Sequence, residues 1–183
     1  VISNAAGIVG LELFGSLGWG AQLEGILLTG ETSSELYYPH VADGDWWTGV
    51  VAYYPSEEPC TVTISPYDAQ GTLLAASKRT IAAKEKYVGA VAELNLPAHT
   101  AWFYLSSTRP LTGFELFGAA DGSQLAAYAG GVGTGVRAGI FPKVEKSGWT
   151  GIAFVNTSRS LANITLIAYR DNGSVVASRK FAV

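Results

Sequence analysis

Apolar and polar residues alternate with a period of two along several stretches of the chain. Residues 60–65 (Cys-Thr-Val-Thr-Ile-Ser) and 162–168 (Ala-Asn-Ile-Thr-Leu-Ile-Ala) follow this pattern. Each stretch runs into a turn closed by a glycine and then into a second apolar pair, Leu73-Leu74 or Val175-Val176. Because this period places successive side chains on opposite faces of a strand, each segment predicts a β-hairpin.

A third hairpin is predicted around Asp121-Gly122, a dipeptide that favours tight turns. Its strands are residues 114–117 and 125–128, and residues 18–20 occupy the matching turn of a first copy. One segment departs from the β pattern. Residues 84–94 carry charged side chains and then apolar ones at helical spacing, which predicts a short amphipathic helix.

The chain also repeats itself. Four landmarks recur in the same order, first at an offset of 103 residues and then, after a slip of one residue, at 102. The matched segments are 10–15 with 113–118, Pro39 with Pro142, 47–50 with 149–152, and 67–71 with 169–173. A fixed period of this kind indicates repeated structural modules.

The repeat predicts the domain organisation. Residues 36–135 form one complete module, whereas residues 1–35 and 137–183 hold the end of one copy and the start of another. Joined in repeat order, the two ends form a second module that lacks only the equivalent of residues 82–103. About seven short strands per module predict an all-β protein of two antiparallel β-sandwich modules, with a small barrel as the alternative.

The composition of the chain argues against two classes of function, nucleic-acid binding and membrane insertion. The 183 residues are 48% hydrophobic and carry a net charge of −3, so the chain can bury a core but has no basic stripe for nucleic acid. Its apolar runs are much shorter than the roughly 20 residues that span a bilayer, which predicts a soluble chain without membrane insertion. The chain has no Met and opens at Val1 in a strand pattern, which predicts a processed product or an excised piece whose signal peptide is lost.

Motifs for catalysis, metals and cofactors are absent from the sequence. His40 and His99 have no partner at catalytic or metal spacing, and Cys60 precedes a strand, where a thiol serves as a small apolar residue. Residues 43–45 (Asp-Gly-Asp) predict a turn rather than a calcium loop. Glu12 and Glu115 occupy equivalent strand positions and are expected to face solvent. We therefore predict no catalytic residue, cofactor or metal.

Aromatic residues are the strongest functional signal. Trp47 and Trp149 recur in register, which predicts a core role, whereas a second group lies around one copy without aromatic counterparts. Exposed Trp and Tyr side chains stack on sugar rings or anchor protein contacts. The candidate ligand-binding residues are Trp46, Asp45, Tyr53, Tyr54 and Trp19. The alternative is that these rings only fill the core and line an edge strand.

The segments 149–158 and 163–177 resemble tandem Ig-like β-sandwich modules of secreted or surface proteins of bacteria, many of unknown function. The resemblance implies an extracellular or cell-surface location and a structural, adhesive or ligand-binding role, with no catalytic residue. We accordingly expect a non-catalytic extracellular adhesion protein with an aromatic face for a glycan or a protein. The alternative is a carbohydrate-binding or carbohydrate-active protein that uses Glu115 or Asp45 in an aromatic cleft.

The two incomplete ends predict self-association. Residues 1–28 would supply strands that complete the module begun by residues 137–183, because backbone groups at a bare sheet edge pair readily. The pairing is expected either within one chain or between neighbouring chains.

Overall fold

The computed structural model describes residues 4, 6–15, 22–132, 135–145 and 147–183. In this part of the chain the regular structure is twelve β-strands, all paired antiparallel, and one short 3₁₀ turn, so the protein is all-β as the sequence predicted. The chain divides into two compact units, residues 1–133 and 134–183.

The first unit contains ten strands. They are β1 (Leu11–Gly15), β2 (Leu23–Leu27), β3 (Ser33–Tyr38), β4 (Trp46–Tyr53), β5 (Cys60–Tyr67), β6 (Ser77–Ile81), β7 (Lys86–Ala90), β8 (Trp102–Ala119), β9 (Leu125–Ala129) and β10 (Gly131–Val132).

Strand β8 holds the first unit together because it belongs to two layers. Its first half pairs with β3 and β5, and its second half pairs with β4 and β9. The first layer, which we call sheet I, has the order β10-β3-β8-β5-β6, and the second, sheet II, has the order β7-β4-β8-β9. A strand that passes from one layer to the other is the usual corner of a β-sandwich.

The core lies between these two layers. Alternate residues of β3, β4, β5 and β8 face inward, as the period of two requires. The rings of Tyr38 and Phe103 stack at the centre with centroids 4.7 Å apart, and both residues are fully buried. Cys60 is buried among them, in agreement with its predicted structural role.

Strands β1 and β2 form a separate hairpin within the first unit. The ring of Phe14 on β1 stacks on Phe114 of β8, with centroids 5.8 Å apart. Phe114 is on the outward side of β8, so this hairpin contacts the outer face of sheet II.

The second unit contains one hairpin, formed by β11 (Asn163–Tyr169) and β12 (Val175–Ala182). Gly173 in its turn has φ +82°, a conformation that glycine adopts without strain. Phe154 packs on Phe181 of β12 at 5.7 Å. The hairpins predicted for residues 162–176 and around Asp121-Gly122 are confirmed as β11–β12 and β8–β9. The hairpin that begins at residue 60 also forms, but its second strand is β6, which begins at Ser77 and not at the predicted Leu73-Leu74, where Tyr67 and Leu73 form only an isolated bridge.

Strand registers reproduce the sequence repeat. Adding 102 to both partners of the β5–β6 pair Thr61 and Thr80 gives Asn163 and Ala182, which are paired in β11–β12. The β1–β2 hairpin also matches the β8–β9 hairpin. Leu11 and Leu27 take the places of Phe114 and Ala129, at offsets of 103 and 102. Repeated sequence thus gives repeated pairing, down to the individual residue.

The helix expected over residues 84–94 is wrong. Lys84 has φ +58° in a turn, residues 86–90 form β7 against β4, and only Val91–Leu94 makes a single 3₁₀ turn. Asn95, with φ +52°, ends that turn. Pairing with β4 outweighs the weak local preference for helix.

The domain limits set by the repeat, residues 36–135 and residues 1–35 with 137–183, stay a prediction. Residues 1–35 belong here to the same compact unit as the complete module, and residues 134–183 form a unit of their own. The completion of the module 137–183 by residues 1–28, in one chain or between chains, stays a prediction.

Candidate functional site

Strand β4 separates the aromatic residues predicted to bind a ligand. Tyr54, which follows it, is fully buried in the core, and its hydroxyl group has no hydrogen-bond partner. Tyr53 faces the other way and is 37% exposed. Trp46, at the start of the strand, is half-buried, and Trp19 lies outside the described residues. The predicted cluster is therefore not brought together as one surface.

Asp45 and Trp46, however, do meet in one place. They line a pocket of about 360 Å³ with Ala119, Ala120, Asp121 and Ser123, at the end of sheet II. Two turns form this pocket. The turn before β4 contains Gly44 with φ +62°, and the N–H of Trp46 donates to the carbonyl of Asp43 at 3.2 Å. The N–H of Ala120 donates to the carbonyl of Asp45 at 2.7 Å, which joins this turn to the β8–β9 turn.

The pocket is acidic. Its lining includes the carboxyl groups of Asp45 and Asp121 and no basic side chain. The hydroxyl and the backbone N–H of Ser123 bond to Asp121 and hold the pKa of that carboxyl below its ordinary value. The pocket therefore offers hydrogen-bond acceptors to hydroxyl or ammonium groups, and it disfavours anions.

Trp47 does not fill the core, contrary to the expectation from its repetition. It lies on the outer face of sheet II and is 37% exposed. Its indole occupies the space that a Cβ of Gly118 would need, and its Cζ3 atom lies 3.0 Å from the position of a Cβ on Gly49. Because both neighbours are glycines, the indole folds down onto the sheet rather than standing away from it.

The indole and the pocket occupy consecutive positions of one strand pair. Trp47 is opposite Gly118, and Trp46 is opposite Ala119 at the next position along the strand. Because consecutive strand residues point to opposite faces, the indole of Trp47 lies on the other side of this strand pair from Trp46 and Ala119, and it does not line the pocket. We call Trp47 with the Asp45–Asp121 pocket the Trp47 site. It comprises a large flat apolar surface on the outer face of sheet II and the carboxyl groups of Asp45 and Asp121 in the two turns at the end of the same strand pair.

Glu115 was expected to face solvent, and this is wrong. It lies on the inward side of β8, fully buried, and neither carboxyl oxygen has a hydrogen-bond partner. Burial raises its pKa to about 9, so the acid is neutral at pH 7. Burial, and secondarily the nearness of Glu115, also raises the pKa of Tyr128 on β9. Glu12, the repeat equivalent of Glu115, is exposed.

Sequence reasoning missed a second group of aromatics on the outer face of sheet I. Tyr37, Tyr104, Tyr67 and Trp102 come from three neighbouring strands, and their ring centroids are 5.5, 6.1 and 4.1 Å apart in that order. Successive ring planes differ by 28° or less, so the rings cover one another's faces. This is a cross-strand ladder that stabilises the sheet. Only the strand register, which the sequence does not state, brings these rings together.

The described residues contain no group of three or more His, Cys, Asp or Glu side chains arranged to hold a metal ion. The ring of His40 packs against Phe117 at 5.3 Å. The backbone carbonyls of Asp43 and Asp45 accept the hydrogen bonds that hold the turn at residues 43–45 in the wall of the pocket.

Comparison with known proteins adds little to this picture. No protein-family model and no curated protein sequence matches the chain. A solved structure from Thermotoga maritima, titled "Crystal Structure of Thermotoga maritima 1070", is similar with a TM-score of 0.47 and 10% identity. The match covers 57% of this chain and 97% of that one. A likeness at this level carries no argument about function. In the described part of the chain, no helix has the length and apolarity to cross a bilayer.

Proposed function

We propose that this protein is a non-catalytic β-sandwich module that binds glycans through the Trp47 site. The single observation that carries the proposal is the position of Trp47, whose indole lies folded over Gly118 and Gly49 and still exposes 37% of the residue. A pyranose ring has C–H groups on its faces and hydroxyl groups at its rim. The indole matches the face of a sugar ring, and the carboxyl groups of Asp45 and Asp121, in the turns at the end of the same strand pair, match the hydroxyl groups of the glycan.

The charge of the site selects the class of sugar. Two carboxyl groups line the pocket without a basic side chain, and the pKa of Asp121 is lowered. A neutral sugar gains hydrogen bonds there, and an amino sugar gains an additional charge attraction. A uronic acid is repelled. The expected ligands are therefore neutral or amino sugars.

A non-catalytic role is supported by the position of Glu115. A glycosidase needs two carboxyl groups that face the scissile bond at roughly 5 to 10 Å. Glu115 has no exposed surface, so it cannot contact a sugar bound at Trp47. The extracellular location and the adhesive role belong to the same proposal, and their support is the resemblance of the sequence to surface β-sandwich repeats.

Trp47→Ala tests the proposal. The probes are short oligosaccharides of glucose, of N-acetylglucosamine, of glucosamine and of a uronic acid, titrated while the tryptophan fluorescence and the indole N–H signals are followed. We expect at least one neutral or amino sugar to bind. Trp47→Ala should weaken this binding at least about ten-fold, equivalent to about 1.4 kcal/mol.

Tyr53→Ala is the matched control. Tyr53 is also 37% exposed and lies on the same face of β4, but it is six positions away, or about 20 Å. A mono- or disaccharide at Trp47 cannot reach it, so its affinity should not change. Absence of binding by every probe, or equal losses from Trp47→Ala and Tyr53→Ala, would refute the proposal.

A further inference from the structure

The second unit contains the repeat equivalent of Trp47. Trp149 lies 102 positions later in the same Trp-Thr-Gly sequence. It is 62% exposed, the highest value among the described tryptophans. Its predicted core role is wrong for the same reason as that of Trp47, since both rings lie on the outside of their units.

One contact of Trp47 is repeated at Trp149, the contact with the glycine two residues on, whereas no described glycine takes the place of Gly118. The Cζ3 atom of Trp149 lies 2.7 Å from the position of a Cβ on Gly151, as Cζ3 of Trp47 lies 3.0 Å from that on Gly49. Each indole is thus folded back over the glycine two residues on. Only glycine leaves room for this arrangement, so the Trp-Thr-Gly spacing has a structural reason in both units.

The threonine between the tryptophan and the glycine accepts a similar hydrogen bond in both units. Thr48 Oγ1 accepts a hydrogen bond from the N–H of Ala42 at 2.8 Å, and Thr150 Oγ1 accepts one from the N–H of Glu145 at 2.8 Å. In each unit this bond ties a residue of the preceding segment to the threonine that follows the tryptophan. Trp149 is therefore presented by the same local scaffold, although residues 149–157 form no regular strand.

We propose that Trp149 forms a second glycan-binding platform, so that the chain is bivalent. This proposal rests on the proposed function of the Trp47 site. The ligand is again a neutral sugar, because polar side chains that suit hydroxyl groups flank the tryptophan. The hydroxyl of Ser147 lies 3.4 Å from the Glu145 carboxylate, which is paired with Lys143 at 3.1 Å.

The two platforms differ in their polar partners. At the offset of 102, Ser147 and Gly148 replace Asp45 and Trp46, so the acidic pocket is not repeated. The Trp149 platform therefore binds a short sugar more weakly than the Trp47 site. Its role is to add a second contact, because two linked weak sites hold a polymer much more tightly than either alone. Two platforms on one chain also join separate polymer strands, which is the property an adhesive module requires.

The experiment uses the full chain and follows the indole N–H signals of its five tryptophans by NMR, assigned with single Trp→Phe variants. The probe is the short oligosaccharide that binds best in the panel described above. We expect two indole signals, those of Trp47 and Trp149, to shift with different dissociation constants. In Trp149→Ala the Trp47 signal should titrate as before. Sedimentation with the corresponding insoluble polysaccharide should show binding at least about ten-fold weaker.

Tyr169→Ala is the control within the second unit, because Tyr169 on β11 is an aromatic residue with a similar exposure of 59%. It should leave both titrations and the sedimentation unchanged. A shift of the Trp47 signal alone, with unchanged sedimentation of Trp149→Ala, overturns bivalency and leaves the proposed function standing. Absence of any indole shift with every probe overturns both.

Discussion

At the residue scale, Glu115 is the least expected feature of this protein. The strand pattern places it on the inward side of β8, opposite Val50 of β4 and Tyr128 of β9. A buried carboxyl group without a hydrogen-bond partner is stable only in its neutral form, because an unpaired charge in an apolar core is very costly. The acid therefore lowers the stability of the module at any pH at which the unfolded chain is ionised.

This gives a pH dependence with a definite sign. The pKa of Glu115 rises from 4.5 to about 9 on folding, so between these values the folded state binds a proton that the unfolded state has lost. The contribution of Glu115 therefore makes the free energy of unfolding fall as the pH rises from about 4.5 to about 9, by up to about 1.4 kcal/mol per pH unit. Glu115→Gln, which cannot ionise, should remove this slope in urea unfolding measured at intervals across the range.

Glu12→Gln is the control for this prediction, because Glu12 is the exposed repeat equivalent of Glu115. Its variant should keep the wild-type slope. The neighbouring phenols of Tyr38 and Tyr128 have raised pKa values, mainly because of burial, so they do not ionise below pH 9. Identical slopes for wild type and Glu115→Gln would contradict the assignment of Glu115 as a neutral core acid.

The sequence alone could not have assigned these faces. Period-two alternation states that neighbours point to opposite sides, but it does not say which side is the core when both carry apolar residues. Strand β4 begins with two tryptophans, and the core side proved to be that of Thr48, Val50 and Ala52. For the same reason Trp47 was placed inside and Glu115 outside. The choice is made by the pairing partners of each strand, which are distant in sequence.

At the scale of elements, β8 determines the fold of the first unit. It is 18 residues long, and Leu111, which lies between its two halves, is fully buried in the core. Local patterns predicted the hairpins, because their partners are close in sequence. The joining of two sheets by one strand could not be predicted in the same way, since β3, β4 and β5 pair with β8 across 35 residues or more of chain.

Leu111→Ala tests the shared role of β8. Truncation of a fully buried leucine should lower the free energy of unfolding by about 2–5 kcal/mol. Because sheets I and II share this strand, we expect far-UV circular dichroism and tryptophan fluorescence of the first unit to report one coincident transition. Leu73→Ala, at a position 54% exposed, should change stability by less than about 0.5 kcal/mol. Two separate transitions for the two sheets would argue against a single cooperative unit.

At the scale of the whole molecule, the repeat permits a direct comparison of the two units. Tyr38 and Val50 are 0% and 3% exposed, whereas their equivalents Phe141 and Ile152 are 56% and 42% exposed. The same sequence positions therefore fill a core in one unit and remain open in the other. The repeat itself was fully visible in the sequence. The difference in burial was not, because burial depends on which strands are present to cover each position.

This difference predicts unequal protection from hydrogen exchange. A two-stranded hairpin with little apolar burial is marginally stable, so the amides of β11 and β12 should exchange much faster than those of their equivalents β5 and β6. Mass spectrometry of peptides 60–81 and 162–183 at several protein concentrations measures this directly. Equal protection of the two peptides would contradict the prediction. Protection of 162–183 that rises with protein concentration would instead mean that another molecule covers these positions, as the expected self-association through strand pairing requires.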